Sequence, residues 1–292
     1  MPGPLAPPRE GPSLREWAGR AFLIALSAAL GVGLGEGLLS SLDFRYDPVV
    51  MTPEARAAAG SSRWVDPTFT RAFDFEERYF EFHPREIWAP RADHAVFNSQ
   101  GLRGPEVAGI GPDAYRILAL GDSNTLGWLG ADVHWPGFLH GAAERRGAVV
   151  WNGGVHGHTS YQGLERLERY RELDADLVLV SYGANDGHYR LFSDSDYSAR
   201  LRRLRALSRF RVGQLVLRAL DRALPPGESD VRRRRVSPGE YRRHLELFIE
   251  RGRRSNQTVM LLTRPVLPRS SRDVYWWANF AEAYNQITRE VA

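Results

Sequence analysis

Three short stretches carry the residue types of acyl-transfer chemistry. Gly121-Asp122-Ser123-Asn124-Thr125 offers a hydroxyl, Asn152-Gly153-Gly154-Val155-His156-Gly157 offers glycine amides, and Gly183-Ala184-Asn185-Asp186 offers an asparagine side chain. A serine oxygen can attack a carbonyl carbon, and N–H groups can stabilise the tetrahedral oxyanion that forms. Each stretch alone has an ordinary explanation. Gly-Asp-Ser is a common start for a capped helix, Asn-Gly-Gly is a turn, and Gly-x-Asn-Asp is a plain exit from a strand. Asp122 reads as a turn and cap residue rather than a catalytic acid.

Their positions give the three stretches weight. Each follows an apolar run with the character of a buried strand: 116–120, 148–151 and 176–182, with a fourth such run at 258–263. Helical patterns at 136–146, 160–173, 238–254 and 273–292 alternate with them. Strands alternating with helices predict a parallel sheet covered on both faces. In such a sheet the loops after the strands open on one edge, where ligands bind. The hydroxyl, the glycine amides and the asparagine are therefore expected on one edge.

This order of motifs resembles the SGNH (GDSL-type) hydrolase family over roughly residues 113–292. The turn Asn98-Ser99-Gln100-Gly101-Leu102-Arg103-Gly104 is similar to one in its membrane-anchored bacterial members. The resemblance implies a flavodoxin-like three-layer α/β/α sandwich with a parallel sheet. It implies acyl-ester hydrolysis with no metal or organic cofactor. Ser123 would be the nucleophile. The Ser123 amide, the Gly154 amide and the Asn185 side chain would form the oxyanion hole. O-acyl groups on envelope carbohydrate or lipid are the implied substrates, with O-acyl transfer to envelope polysaccharide as one alternative. A catalytically inactive fragment, or an envelope binding protein that keeps the fold, is another.

A serine nucleophile needs a base. The resemblance implies an Asp-x-x-His after a fifth strand. None of the eight histidines (His83, His94, His134, His140, His156, His158, His188, His244) has an acid three positions before it. The sequence ends within the helix after the fourth strand, so the expectation is a chain lacking its C-terminal strand and base. His188, His156 and His158 are the local candidates to substitute. The last two also invite a metal-pair reading, but no third ligand stands at a suitable spacing.

The composition narrows the chemistry further. The 292 residues include no cysteine, and all 39 basic residues are arginine. Thiolate zinc sites, cysteine nucleophiles, Schiff-base lysines and P-loop lysines are excluded. Residues 1–20 read as a Pro-rich cytoplasmic tail carrying Arg9, Arg15 and Arg20. Residues 21–42 are apolar or small apart from Glu36, at about 1.5 Å per residue long enough to cross a bilayer. A cleaved signal peptide is the rival, but no small-x-small site precedes a polar region. The arginines ahead of the run keep the N-terminus cytoplasmic, so the remainder is expected outside the cytoplasmic membrane. Gly31, Gly33, Gly35 and Gly37 space two overlapping small-xxx-small patterns.

Residues 43–112 read as a linker and an irregular β-rich segment, followed by the hydrolase domain at 113–292. Within that domain, residues 190–254 hold 18 Arg and 8 acids, a net +10 against −6 for the rest. Leu201, Leu204, Leu207, Val212, Leu215 and Leu220 recur there at helical spacing among arginines. A solvated helical cap is the plainer reading. Contact with anionic lipid or polysaccharide is the sharper one. Nucleic acid is not expected, since the aromatic residues do not interleave with the arginines.

Overall fold

The computed structural model describes residues 13–46, 79–92, 94, 96–129, 133–223, 233–265 and 278–292, with backbone alone for 278–280. It divides into two compact units. One joins Val49–Arg205 with Pro225–Ala292, and the other joins Met1–Pro48 with Ala206–Leu224.

The larger unit is built on four parallel strands: β3 (Tyr115–Gly121), β4 (Ala148–Asn152), β5 (Leu177–Ser181) and β8 (Thr258–Leu261), in the order β4-β3-β5-β8. Successive side chains on a strand point to opposite faces, and the core divides accordingly. Leu118, Leu120, Val149, Trp151, Val178 and Val180 pack on one face. There they meet Leu164 and Leu167 of α4 (Ser160–Arg169), Tyr241, Leu245 and Phe248 of α7 (Pro238–Arg254), and Tyr284 of α8 (Ala278–Val291). Ile117, Ala119, Val150 and Leu179 face the other way, against Trp135, Leu139 and Ala143 of α3 (Trp135–Ala143). Helices on both faces of a parallel sheet make the three-layer α/β/α architecture that the alternation predicts.

Element ends differ from the sequence reading by a few residues, each for a local reason. Helix α3 starts at Trp135, one residue before its proline, because the His134 imidazole caps it by accepting from the Gly137 amide. Its last turn tightens into a 3-10 helix at Glu144–Arg146, and Gly147 closes it at φ 76°. Helix α4 ends at Arg169, with a 3-10 turn at Arg171–Leu173 finishing the expected helix. Residues 273–277 of the expected last helix lie outside the described residues.

The segment before the sheet carries an antiparallel hairpin, β1 (Phe80–His83) and β2 (Ile87–Pro90). Buried Glu86 in its turn is held by buried Arg166 at 2.8 Å and by Arg169 at 3.2 Å. Arg166 also donates to the Gly153 carbonyl, so the hairpin and the loop after β4 share one anchor. The expected β-rich content at 47–78 falls outside the described residues.

A two-residue antiparallel pair, β6 (Tyr189–Arg190) with β7 (Arg233–Arg234), brackets the first part of the basic insertion. Its helices are α5 (Asp194–Ser208) and α6 (Arg211–Ala223), interrupted at Arg209 and Phe210. The arginines of the insertion are not all solvated. Arg235 is buried and forks onto Asp194, with Nε to Oδ1 and Nη2 to Oδ2 both at 2.9 Å. Its Nη1 donates to the Gly157 carbonyl.

The smaller unit contains α1 (Leu14–Ser41) and α6. Helix α1 begins ahead of the apolar run because Ser13 and Glu16 form a reciprocal capping box. None of its residues is buried. At 28 residues it is long and apolar enough to cross a membrane.

Candidate active site

Three loops leave the carboxyl ends of β3, β4 and β5, on one edge of the sheet. The first turns at once into a single helical turn, α2 (Ser123–Leu126). Asp122 caps it, with Oδ1 accepting from the Asn124 amide at 3.0 Å. Gly121 is obligatory at the strand end, since a Cβ there would sit 2.1 Å from Thr125 Oγ1. Gly127 ends the turn at φ 76°. This geometry leaves Ser123 exposed. Neither its hydroxyl nor its amide has a hydrogen-bond partner among the described residues.

Other contacts fix the turn from beneath. Asn152, buried at the end of β4, donates through Nδ2 to the carbonyls of Thr125 at 2.7 Å and Leu126 at 3.2 Å. Arg103 donates through Nη1 to the carbonyls of Leu126 and Trp128. Arg103 also exchanges both backbone hydrogen bonds with Asn152, so the Asn98–Gly104 turn extends the sheet beside β4. Asn98 shapes that turn, its Oδ1 accepting from the amides of Gln100 and Leu102.

The most heavily charged contact is Arg264 with Asp122. Arg264 follows β8, is buried, and its Nη2 lies 2.7 Å from Asp122 Oδ1. Asn285 of α8 clamps the Arg264 backbone, accepting from its amide and donating to its carbonyl at 2.8 Å each. A carboxylate this buried needs a paired cation. Sequence reasoning passed over Arg264, because no motif marks an arginine three residues beyond a strand.

The second loop brings Gly154 against α2. A Cβ on Gly154 would lie 2.3 Å from the Leu126 nitrogen, so only glycine fits. Its amide, expected to face an oxyanion, donates instead to Asn152 Oδ1 at 2.9 Å. In the third loop the Asn185 Nδ2 donates to the His158 carbonyl at 3.0 Å. Its neighbour Asp186 is fully buried, with both carboxylate oxygens hydrogen-bonded. It accepts from the Ser160 hydroxyl and amide and from the Gly183 amide. Burial, only partly offset by those donors, pushes its carboxyl up to about 6.

The histidines near this edge have other partners. His188 is pushed down to about 3 by burial and by the charges of Arg235, Arg190 and Arg264. His156 is lowered to about 4 by burial, while its ring donates to the Gly127 carbonyl and stacks near Phe80. His158 is wholly buried, well below its ordinary value, with Nε2 2.9 Å from the Trp88 carbonyl. The His156 and His158 rings thus address different carbonyls rather than a shared metal. His244 on α7, which the sequence did not single out, meets the Ser160 hydroxyl through Nδ1 at 2.8 Å, and burial lowers it to about 4. None of the described histidines hydrogen-bonds Ser123.

A family model described as GDSL-like lipase/acylhydrolase matches residues 119–292, which hold all three loops. The chain belongs to the GDSL-like lipase/acylhydrolase family. Family membership makes it an ester-bond hydrolase of the SGNH/GDSL type. Solved structures similar to it include AlinE4, an SGNH-hydrolase family esterase, at 21% identity and TM-score 0.38, covering 62% of this chain and 72% of that one. TesA matches at 22% identity and TM-score 0.37, covering 61% and 72%. A lipase/acylhydrolase from Enterococcus faecalis matches at 21% identity and TM-score 0.38, covering 60% and 70%. No curated protein matches the chain.

Proposed function

We propose that this GDSL-type domain hydrolyses acyl esters through Ser123. The observation that carries the proposal is the contrast within one loop. The surrounding turn is held by Asp122, Asn152, Arg103 and Arg264, while the exposed Ser123 hydroxyl and amide have no partner. In the proposed step Ser123 Oγ bonds to the ester carbonyl carbon and gives up its proton to a base. The carbonyl oxygen becomes an oxyanion held by the Ser123 amide, the Gly154 amide and Asn185 Nδ2. The alkoxide then leaves with a proton, and water releases the acyl group from Ser123. Gly154 and Asn185 must turn from their present acceptors, or share them, to take part. Among the described histidines His188 is a poor base, since an imidazole lowered to about 3 holds a proton weakly at neutral pH.

The same proposal places α1 as a single-pass signal anchor, with the hydrolase domain outside the cytoplasm and O-acyl groups of envelope carbohydrate or lipid as substrates. Arg15 and Arg20 near its start support this sidedness. If a sugar hydroxyl replaced water in the second step, the outcome would be transfer. A non-catalytic binding role is the second reading, favoured by the engagement of the Gly154 amide with Asn152. Turnover of p-nitrophenyl acetate by the chain and by Ser123→Ala separates them. Loss of turnover in the variant supports the hydrolase, and equal rates support the binding protein.

A further inference from the structure

Glu36 is the one acid in an otherwise apolar stretch of α1, and an unpaired carboxylate there would be costly in lipid. Its partners lie on α6. Glu36 Oε1 accepts from the Arg211 amide at 2.8 Å and Oε2 from the Val212 amide at 3.1 Å. The carboxylate therefore caps the first turn of α6, where backbone N–H groups otherwise lack partners. The two helices meet closely, since a Cβ on Gly35 would lie 3.0 Å from Val212 Cγ2.

Beyond the cap, the polar side of α6 is bound to the end of α1 and to the chain that follows it. Arg211 Nη1 reaches the carbonyls of Leu39 and Phe44. Gln214 accepts from the Tyr46 amide, and Asp221 from the Tyr46 hydroxyl. Arg218 lies over the Phe44 ring at 5.5 Å. The other side of α6 is apolar and bare. Leu215, Val216, Ala219, Leu220 and Ala223 all face out. At about 100° per residue they fall within an arc of roughly 140°. Leu215, Val216 and Leu220 are 43%, 52% and 39% exposed, and Phe210 just before the helix is 57% exposed.

From this unit we infer that α6 is an interfacial helix that lies in the outer boundary of the bilayer beside the anchor, with its Leu215–Val216–Leu220 face in the acyl chains. This inference rests on the reading of α1 as a membrane helix and gives the basic insertion a specific contact. The occupant is lipid because the bare face belongs to the same compact unit as α1, whose uncovered apolar surface needs the same surroundings. Thirteen residues make about 20 Å of helix, too short to cross a core of about 30 Å. An amphipathic helix of that length with arginines on its polar side belongs at the headgroup boundary. The aliphatic stems of Arg209 and Arg222 can cover apolar surface while their charges reach anionic headgroups.

The absence of cysteine allows a direct test. Spin labels are attached to Leu26→Cys, Leu220→Cys, Val216→Cys and Arg222→Cys in the full chain. The protein is reconstituted in phosphatidylcholine–phosphatidylglycerol vesicles, and collisions with oxygen and with a water-soluble nickel chelate are compared. Positions 26, 216 and 220 are expected to favour oxygen several-fold more than position 222. Position 26 in lipid with 216 and 220 in water overturns the interfacial helix and leaves the anchor standing. Position 26 in water overturns both. Dipolar broadening between labels at 220 at high lipid dilution would mean that a second copy covers the face, and would also overturn the inference.

Discussion

The first and third loops of the sheet edge use similar polar residues to opposite ends. Around Asp186 both carboxylate oxygens are engaged: Ser160 gives two donors, Gly183 gives a third, and the Ser160 hydroxyl also meets His244. Around Ser123 the turn is held by Asp122, Arg264, Asn152 and Arg103, although Asp122 Oδ2 and Thr125 Oγ1 are buried without a hydrogen-bond partner among the described residues, and the exposed hydroxyl at its centre has none either. Both loops are held by hydrogen bonds to buried polar groups, which cost free energy when left unpaired. What distinguishes the serine loop is that an unpartnered hydroxyl stands exposed at its surface. An acid with both oxygens engaged, such as Asp186, buttresses its loop, whereas an exposed hydroxyl without a partner is available for chemistry.

Substitutions in these loops and in the residues that support them test that contrast. The largest stability effect is expected at Arg264. Arg264→Ala strands a buried carboxylate on Asp122 and should cost about 3–5 kcal/mol, read by urea unfolding. Replacing both partners, as Arg264→Met with Asp122→Asn, should recover much of that loss. If the single variant costs under 1 kcal/mol, the ion pair does not hold the turn.

Asn185→Ala should lower kcat by about 10²–10³-fold if its amide serves the oxyanion, with only about 1 kcal/mol lost in stability for its bond to the His158 carbonyl. Equal fractional losses in both would make Asn185 a purely structural residue. Gly154→Ala should displace α2, because its Cβ would meet the Leu126 backbone rather than a movable side chain. A stability loss of about 1–3 kcal/mol from overpacking, together with loss of activity, is expected. An unchanged thermal midpoint would show that the loop yields.

The smallest effect is a difference in pH dependence. His156 and His244 stay neutral in the fold until about pH 4, and His188 until about pH 3. The unfolded chain binds those protons from about 6.5. Their contribution to stability is complete above that pH and is lost as pH falls toward the folded values. Asp186 acts in the opposite direction. Its folded value of about 6 lies above its ordinary 3.8, so between those values the folded protein binds more protons and acidification favours it. His188→Gln should flatten the acid-side loss of stability, and Asp186→Asn should steepen it between pH 6 and 4. Unfolding curves across pH 3.5–7 that shift the same way for both variants would contradict these assignments.

Much of this edge is legible in the sequence, because strands such as β5 (Leu177–Ser181) announce themselves by continuous apolar runs and their loops by glycine. The serine turn is legible because Gly121 and Gly154 are demanded by close approach. Arg264 is not, since its role depends on Asp122, 142 residues away in the chain, and no local spacing encodes that pairing. The engagement of the Gly154 amide by Asn152 was equally hidden, because Asn-Gly-Gly read as a turn gives the asparagine no direction. Glu36 interrupts an apolar stretch, and its partners on α6 lie 175 and 176 residues away in the chain. In each case the missing information is a contact between distant segments, which periodicity does not report.

The central claim is that Ser123 is the nucleophile. It is tested most directly by treating the protein with a fluorophosphonate ester and mapping the adduct by peptide mass spectrometry. The account predicts a single phosphonylated residue, Ser123, with Ser123→Ala unlabelled and folded. Labelling at another serine, or none on folded protein under conditions that label a control serine esterase, would contradict it.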